Sequence, residues 1–321
     1  ASMTTTFSED FIFSSTIATT QTIETSGVIL NGDLRFKSIL GTYDFLDDLT
    51  SNKSIKFESG NLTSIGRTMS IAAFVAGETL TRDLDITNSN YVLAGVDSTW
   101  VMNPINLTLT TAGSEIIVNH TLPTKSIVKG GGQVYNIFRF LNIKSSLYDN
   151  NTFSILEVAP NSSLALESGI TQNTDSLIAN GSCTEMISLE STDNFGTAAN
   201  INKTGYDTLI VSSVNLRNVT ANATAPKYNL AQSSTISYTT TGWDTTDIGV
   251  GTLFYWVNGS GEWKDISHWE SPLGNPAACL PTIRDTVYFN STSFLLNGDS
   301  VLVNSDAYFS HMDWAGSEIW N

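Results

Sequence analysis

Asn106-Leu-Thr-Leu-Thr110 is followed, after a short turn around Gly113, by Glu115-Ile-Ile-Val118. Short runs of apolar and β-branched side chains of this kind are typical of β-strands. Gly, Asn, Asp and Ser residues bound the runs, and these residues tolerate the backbone angles that tight turns require. The stretch therefore predicts two short strands joined by a tight turn.

The same pattern continues from Phe7 to about Thr241. Hardly any stretch keeps apolar residues at helical spacing for three turns, so the chain is predicted to be all-β. Further runs of this kind are Asp10-Phe-Ile-Phe13, Gly27-Val-Ile-Leu30, Asp33-Leu-Arg-Phe36, Ser54-Ile-Lys-Phe57, Thr68-Met-Ser-Ile71, Tyr91-Val-Leu-Ala94, Ser163-Leu-Ala-Leu166, Met186-Ile-Ser-Leu189 and Thr208-Leu-Ile-Val211.

A parallel β-helix is the architecture that these short strands favour. Short strands separated by small polar turns suit a solenoid in which each coil stacks on the previous one. With roughly two dozen residues per coil and a stacking distance of ~4.8 Å, about ten coils would form a rod on the order of 50 Å long. Consecutive β-sandwiches are the alternative. The predicted organisation is a solenoid over residues 1–243, a linker over 244–253 and a Trp-rich segment over 254–321.

The Trp-rich segment begins Phe254-Tyr-Trp-Val-Asn-Gly-Ser-Gly-Glu-Trp-Lys-Asp-Ile-Ser-His-Trp269. Gly259 and Gly261 predict a tight turn with positive φ that brings the rings to one face, with His268 bonding backbone beside them. Large rings supply the apolar area that a small loop-rich unit lacks, so a core role is favoured over a sugar-stacking role. The aromatic residues concerned are Tyr255, Trp256, Trp263, Trp269 and Trp314.

The two ends of the sequence resemble each other. Asp10-Phe-Ile-Phe13, followed by Thr22-Ile-Glu-Thr25, resembles Asp285-Thr-Val-Tyr-Phe289, followed by Ser300-Val-Leu-Val303. The offsets are 275 (285 minus 10), 276 (289 minus 13) and 278 (301 minus 23). The sequence therefore predicts that a second copy of one module starts near Phe254.

The order of elements in the Trp-rich segment is specific. Tyr255-Trp-Val is followed by Gly259-Ser-Gly, Trp263, His268-Trp269, a Pro281-Thr-x-x-Asp285 turn and Met312-Asp-Trp-Ala-Gly316. In this order the segment resembles the tandem modules of very large adhesin-like surface proteins of Bacteroidetes, in particular flavobacteria, which leave the cell by type IX secretion. More loosely, upstream runs such as Val214-Asn-Leu-Arg217 resemble the solenoid coils that lie between successive Trp-rich units in such proteins.

The resemblance implies a cell-surface, extracellular location. It implies that the partners are neighbouring repeats of the same polypeptide or like chains, with surface glycans as further candidates. It also implies a glycoprotein, O-glycosylated where Asp-Ser or Asp-Thr precedes an apolar residue, which is the pattern of that phylum. The hydroxyls that match are Ser176, Thr208, Thr286 and Ser300.

Charge and cysteine content limit the classes of partner. The 321 residues carry a formal net charge of -16, which argues against nucleic acid because phosphate binding needs a basic surface. No run approaches the ~20 apolar residues of a membrane helix, so no membrane span is expected. Cys183 and Cys279 lie in no metal or redox motif; an extracellular location favours a disulfide between them, and two buried thiols are the alternative.

Metal and cofactor sites find little support. Asp83, Asp85 and Asn88 offer oxygen ligands at near-alternate positions, which makes them a weak Ca²⁺ candidate. They lack the central Gly and terminal Glu of a calcium loop, so a polar turn is favoured. No other cofactor is expected, since the three histidines lack the spacing of a zinc site.

Three functions are compatible with these features, and we expect the first: a non-catalytic repeat of an extracellular filament or adhesin that gives reach and adhesion. Here the aromatic rings would join successive rods by covering the open coil end. The alternative is a carbohydrate-binding module with Tyr255, Trp263 or Trp269 as the stacking platform. The third is a polysaccharide-degrading β-helix enzyme with acids such as Asp47 and Asp48. Adjacent acidic residues at turns are common, and a shared fold is weak evidence for a shared activity, so catalysis is not expected.

Overall fold

The computed structural model describes residues 9–120, 124–141, 144–205, 209–222, 228–231, 234–238, 240–246, 250–304 and 307–314. The chain forms a parallel β-solenoid of about 13 turns, followed by a Trp-rich β segment near the C-terminus. This confirms the predicted parallel β-helix, and the alternative of consecutive β-sandwiches is wrong. The coils differ in length around the two dozen residues expected: the coil from Ile55 to Phe74 spans 19 residues (74 minus 55) and the next, from Phe74 to Trp100, spans 26 (100 minus 74).

The strands are short, as the sequence pattern predicts. In the solenoid they are β1 (Phe11–Phe13), β2 (Thr20–Ile23), β3 (Ile29–Leu30), β4 (Leu34–Phe45), β5 (Leu49–Ser51), β6 (Ile55–Thr63), β7 (Thr68–Ile71), β8 (Phe74–Ala76), β9 (Arg82–Asp85), β10 (Asn90–Leu93), β11 (Asp97–Met102), β12 (Leu107–Thr110), β13 (Glu115–Asn119), β14 (Ser126–Lys129), β15 (Val134–Leu141), β16 (Lys144–Tyr148), β17 (Thr152–Val158), β18 (Ser163–Leu166), β19 (Thr171–Ile178), β20 (Ile187–Ser191), β21 (Ala199–Lys203), β22 (Leu209–Ser212), β23 (Val214–Arg217), β24 (Val219–Ala221), β25 (Tyr228–Ala231) and β26 (Thr235–Ser237). The remaining elements are β27 (Leu253–Trp256), β28 (Gly261–Glu262), a 3-10 turn (Ile266–His268), β29 (Trp269–Glu270), β30 (Thr286–Tyr288), β31 (Val301–Leu302) and β32 (His311–Asp313).

Two long parallel sheets run along the solenoid. The first has the order β1-β4-β6-β8-β11-β14-β16-β18-β20-β23-β26; off this path, β2 pairs with β4, β9 with β6 and β12 with β9. The second has the order β24-β21-β19-β17-β15-β13-β10-β7-β5-β3. The strands β12 and β13 of the opening stretch lie in different sheets, and Gly113 at φ 67° makes the corner between them.

The alternating sequence pattern places one row of apolar side chains inside the solenoid. Along β13, Ile116 and Val118 are fully buried while Ile117 lies on the outer side. Aromatic rings of successive coils stack inside, as Tyr135 and Phe153 do at a ring-centroid distance of 5.6 Å. Each fully buried aliphatic or aromatic side chain contributes about 1.5–3 kcal/mol, and the row is continuous, so the coils stabilise one another.

The Trp unit, residues 250–304 and 307–314, is a separate small β structure. Its main sheet has the order β29-β27-β30-β32, in which only the β27–β29 pair is antiparallel. The strands β28 and β31 form a second, parallel pair. The buried side chains of the Trp unit form their own core cluster, which shares no member with the solenoid core.

Candidate functional site

Three indole rings form the centre of the Trp unit. Trp256, Trp263 and Trp269 are 0%, 2% and 0% exposed. Trp269 lies edge-on to Trp256 at a ring-centroid distance of 5.1 Å and to Trp263 at 4.8 Å. The Nε1 atom of Trp256 donates to the Gly259 carbonyl at 2.7 Å, and that of Trp269 donates to the Trp263 carbonyl at 2.9 Å. These rings are core residues, so they present no stacking surface for a sugar.

A glycine-rich turn lets the rings converge. Gly259 has a φ of +72°, as predicted, but Gly261 is not among the positive-φ residues. The prediction of a positive φ at Gly261 is therefore wrong. Glycine is needed there because of the close packing of the His268 ring: a Cβ would lie 2.2 Å from its Nε2 atom. The His268 ring stacks on Trp256 at 4.7 Å, and its Nδ1 lies 2.9 Å from the Val257 carbonyl oxygen, the backbone contact that the sequence predicted.

Asp285 holds the turn that precedes β30. Its carboxylate is buried and accepts hydrogen bonds from the backbone N–H groups of Thr282 and Thr252, both at 2.6 Å. The Thr282 hydroxyl donates to the same carboxylate at 2.7 Å. This explains the Pro-Thr-x-x-Asp spacing in the sequence, because the Asp at the fifth position closes the turn and ties it to the segment entering β27.

The Trp unit is fixed to the solenoid by a covalent bond and by polar and apolar contacts. Cys183, in the turn before β20, forms a disulfide with Cys279 of the Trp unit, which is the pairing that the sequence favoured. The Asn215 Nδ2 atom on β23 donates to the Tyr308 hydroxyl at 2.7 Å. Met186 of the solenoid and Leu280 of the Trp unit line one small cavity between them. Sequence gave no signal for the Asn215–Tyr308 contact, because it joins positions far apart in the chain.

A buried tryptophan of the solenoid itself lies near the end of its last described coil. Trp243 belongs to the solenoid core, and its Nε1 atom donates to the Val219 carbonyl at 3.1 Å. The rings of Trp256, Trp263 and Trp269 pack on one another instead. The expectation that these rings cover the coil end stays a prediction.

Two aromatic positions of the Trp unit keep exposed surface. Tyr255 is half-buried and stacks on Tyr288 of the neighbouring strand at 5.1 Å, on the outer face of the sheet. Their partners in the next strands are acidic: Glu270 pairs with Tyr255 and Asp313 pairs with Tyr288. Trp314 is 50% exposed. Of the aromatic residues singled out from the sequence, Tyr255 and Trp314 are the ones that reach solvent.

The candidate O-glycosylation hydroxyls differ in access. Ser300 is exposed, whereas Ser176 and Thr286 are half-buried within strands. Thr286 is further enclosed because Leu253 and His311 pair with it from both sides. Thr208 lies outside the described residues. A glycan would reach Ser300 most easily.

The weak Ca²⁺ candidate is a turn in the structure. Asp83 and Asp85 lie on β9, and the Asp85 carboxylate accepts a hydrogen bond from the Thr87 N–H at 2.9 Å. Asn88 follows in the left-handed region at φ 55°. Within the part of the chain that the structure describes, no group of three or more His, Cys, Asp or Glu side chains could hold a metal ion.

Several acidic side chains serve as anchors for turns between coils. Asp47 accepts hydrogen bonds from the N–H groups of Thr25 and Ser26, at 2.9 and 2.6 Å. Burial acts to raise the pKa of Asp47, but these hydrogen bonds outweigh it and leave the pKa below its usual value. Asp48 likewise accepts a hydrogen bond from the Thr68 N–H at 2.8 Å. The adjacent acids considered for catalysis thus have structural partners.

A helix long and apolar enough to cross a membrane is not found among the described residues. Comparison of the chain with protein-family models, with curated proteins and with solved structures finds no match.

Proposed function

We propose that the chain is a non-catalytic structural repeat of an extracellular surface filament or adhesin, in which the solenoid gives reach and the Trp unit starts the next repeat. The observation that carries the proposal is the Cys183–Cys279 disulfide, which fixes a second β unit, with its own core, against the rod. Such a joint serves a protein whose successive units must keep a constant direction.

The disulfide also supports the extracellular part of the proposal. Disulfides form and persist in oxidising compartments and are rare in the reducing cytosol. Very small proteins often need disulfides because their hydrophobic core is too small to stabilise the fold. This chain has a large hydrophobic core, so the disulfide is not needed for that purpose. A role in holding two units together accounts for it better.

The resemblance to the tandem modules of Bacteroidetes surface proteins exported by type IX secretion supports the same function. It rests on the order of Tyr255-Trp-Val, Gly259-Ser-Gly, Trp263 and the later elements, and the structure gives these residues structural roles. The buried rings build the core of the unit, and Gly259 makes its turn.

The test is surface labelling of the native host with an antibody raised against this chain. We expect labelling of intact cells, loss of the labelled protein on treating cells with an external protease, and reduced adhesion after deletion of the gene region. The free-thiol content of the protein taken from cells is measured in parallel. A protein confined to the cytosol, with Cys183 and Cys279 reduced, would refute the proposal.

A second function, carbohydrate binding, is favoured by the stacked pair Tyr255 and Tyr288. The pair stands on an outer face beside Glu270 and Asp313, and aromatic rings next to carboxylates suit the apolar faces and hydroxyls of sugars. A glycan array with the wild type and with Tyr255→Ala tests it. Binding that is lost in a folded Tyr255→Ala protein supports it, and an array without binding contradicts it.

A further inference from the structure

The Trp unit repeats the strand pair with which the solenoid begins. In the solenoid, Phe13 of β1 pairs with Phe36 of β4, and the two rings stack at 4.8 Å with an interplanar angle of 10°. In the Trp unit, Phe289, the residue after β30, stacks on Trp314, the residue after β32, at 4.0 Å and 12°. Both strand pairs are parallel and both ring pairs are stacked, so the two arrangements are structurally equivalent.

The inward-pointing side chains define the residue offset between the two copies more exactly. Phe11 pairs with Leu34 as Val287 pairs with Met312. The offset is 276 (287 minus 11) in the first strand and 278 (312 minus 34) in the second. At these offsets Glu9 takes the position of Asp285.

The surroundings of the two strand pairs are complementary. On its other side β30 pairs with β27, and Val287 and Phe289 are 0% and 1% exposed. Among the described residues β1 pairs on one side only, with β4. Phe11 and Phe13 are half-buried, and Ile12 between them is 64% exposed.

The second strands show the reverse. Leu34 and Phe36 are fully buried by the coils that follow, whereas Met312 is half-buried and Trp314 is half-exposed. Within the described ranges, each strand pair thus has a neighbour that the other lacks. The pair in the Trp unit has a preceding strand, β27, and the pair in the solenoid has coils that follow it.

We propose that the edge formed by Phe11, Ile12 and Phe13 is a docking site for the β27 strand and Trp cluster of a preceding copy of this unit in the same polypeptide. This inference rests on the proposed repeat function. The register follows from the β27–β30 pair, where Phe254 pairs with Val287 and Tyr255 with Tyr288. By the offset of 276, Phe254 of the preceding copy lies beside Phe11 and Tyr255 lies beside Ile12.

The chemistry of the edge suits this occupant. Phe11 and Phe13 offer apolar surface to a strand that presents Phe254 and Trp256 on its inner side. An unpaired parallel edge with apolar side chains is a hazard for aggregation, and pairing with a cognate strand removes it. The ion pair between Arg35 and Asp10, at 3.4 Å, joins β4 to the segment before β1, so among the described residues it belongs to the side of β1 that is already paired.

The test is a tandem protein in which residues 1–284 are joined directly to a second copy of residues 9–321. Cysteines are introduced as Tyr255→Cys in the first copy and Ile12→Cys in the second, and dibromobimane, which fluoresces on bridging two nearby thiols, is the probe. Paired residues of adjacent strands lie about 4.8 Å apart, so we expect this pair to react at least about tenfold faster than a shifted pair. The bridged peptides are identified by mass spectrometry.

Two controls make the result interpretable. The shifted pair, Leu253→Cys with Ile12→Cys in the same tandem protein, tests the register. The single 1–321 chain with Tyr255→Cys and Ile12→Cys tests whether the bridge needs a preceding copy. Bridging of the shifted pair, or no bridging while hydrogen exchange shows both copies folded, would overturn the docking proposal. It would leave the surface-labelling test of the repeat function unaffected, so the two failures are distinguishable.

Discussion

Removal of the Cys183–Cys279 disulfide by the double substitution Cys183→Ser and Cys279→Ser is predicted to free the Trp unit while leaving the solenoid folded. When the Trp unit alone unfolds, the bond closes a loop from the solenoid end at Trp243 to Cys279, a separation of 36 residues (279 minus 243). The chain-entropy relation for such a loop gives roughly 4 kcal/mol. The Asn215–Tyr308 hydrogen bond that remains contributes about 1 kcal/mol, which does not replace the lost constraint.

Hydrogen–deuterium exchange with peptide-level mass spectrometry measures this effect in each unit separately. Roughly 4 kcal/mol corresponds to nearly a thousandfold faster exchange, because each 1.4 kcal/mol is about a factor of ten. We expect that acceleration in the peptides that contain β27 and β30. The peptides that contain β15 and β17 should keep their protection, since the solenoid core shares no buried residue with the Trp unit. Wild-type protein reduced and alkylated under native conditions serves as the matched control.

Two results would refute this reasoning. If the exchange of β27 and β30 is unchanged in the double serine variant, the non-covalent contacts alone hold the joint. If β15 and β17 lose protection to the same extent as β27 and β30, the chain is one cooperative unit and the Trp unit is not a separate body joined to a rod.

Three further perturbations test the roles of single residues. Trp263→Ala should destabilise the Trp unit by about 3–5 kcal/mol, and Tyr255→Ala should have a much smaller effect, because only the first ring is fully buried; thermal melts followed by fluorescence compare them, and equal melts would contradict the core role. Asp285→Ala removes the acceptor of the buried N–H of Thr282 and of the part-buried N–H of Thr252, so we expect a loss of about 1–3 kcal/mol in chemical denaturation, whereas a neutral effect would show that the turn forms without the carboxylate. Ser300→Ala should remove one glycan mass from protein purified from the native host, and an unmodified wild-type mass would exclude glycosylation there.

The acidic turn anchors predict a loss of stability in acid. The pKa of Asp193 is lowered by hydrogen bonds from the N–H groups of Thr197, Phe195 and Gly196, and that of Asp299 by one from Leu296 and by the Ser260 hydroxyl. A carboxyl whose folded pKa lies below the unfolded value of about 3.9 stabilises the fold above that pH, and the stabilisation is lost as the pH falls through the folded pKa. Denaturant midpoints should therefore be constant near neutral pH and fall below about pH 4. A midpoint that rises in that range would contradict the assignment.

The solenoid was predictable because short stretches of sequence, repeated along the chain, specify its strands and turns. Runs such as Asn106–Thr110 and Glu115–Val118 each specify a strand with one inward face, and the short polar turns leave stacking of coils as the way to bury those faces. The turn chemistry at Gly259 and the Pro281–Asp285 segment was equally local, so the sequence identified both turns. What the sequence missed depends on contacts between distant positions: Trp243 as a member of the solenoid core and Asn215 as a partner of the Trp unit.

The alternation of inward and outward side chains also corrects the comparison of the two ends of the chain. Matching letters places Asp10 on Asp285, but this puts the outward Ile12 on the inward Val287. A strand shifted by one residue turns every side chain to the opposite face of the sheet. In a short strand, the direction of the side chains is therefore a stricter test of correspondence than residue identity. The pairing in the structure therefore decides for 276 over 275, a distinction that the sequence contains but does not reveal without the burial pattern.

The half-exposed Trp314 links the two candidate functions. Its counterpart Phe36 is completely buried by the next coil, and the neighbouring ring Phe289 is buried on the side of β27. If further coils stack on β32, the exposed half of Trp314 becomes core and no sugar can reach it. Only the outer face with Tyr255 and Tyr288 would then remain for a glycan. If the Trp unit is a joint between repeats, a sugar contact is therefore confined to the outer face, while the rings on the inner side form the core.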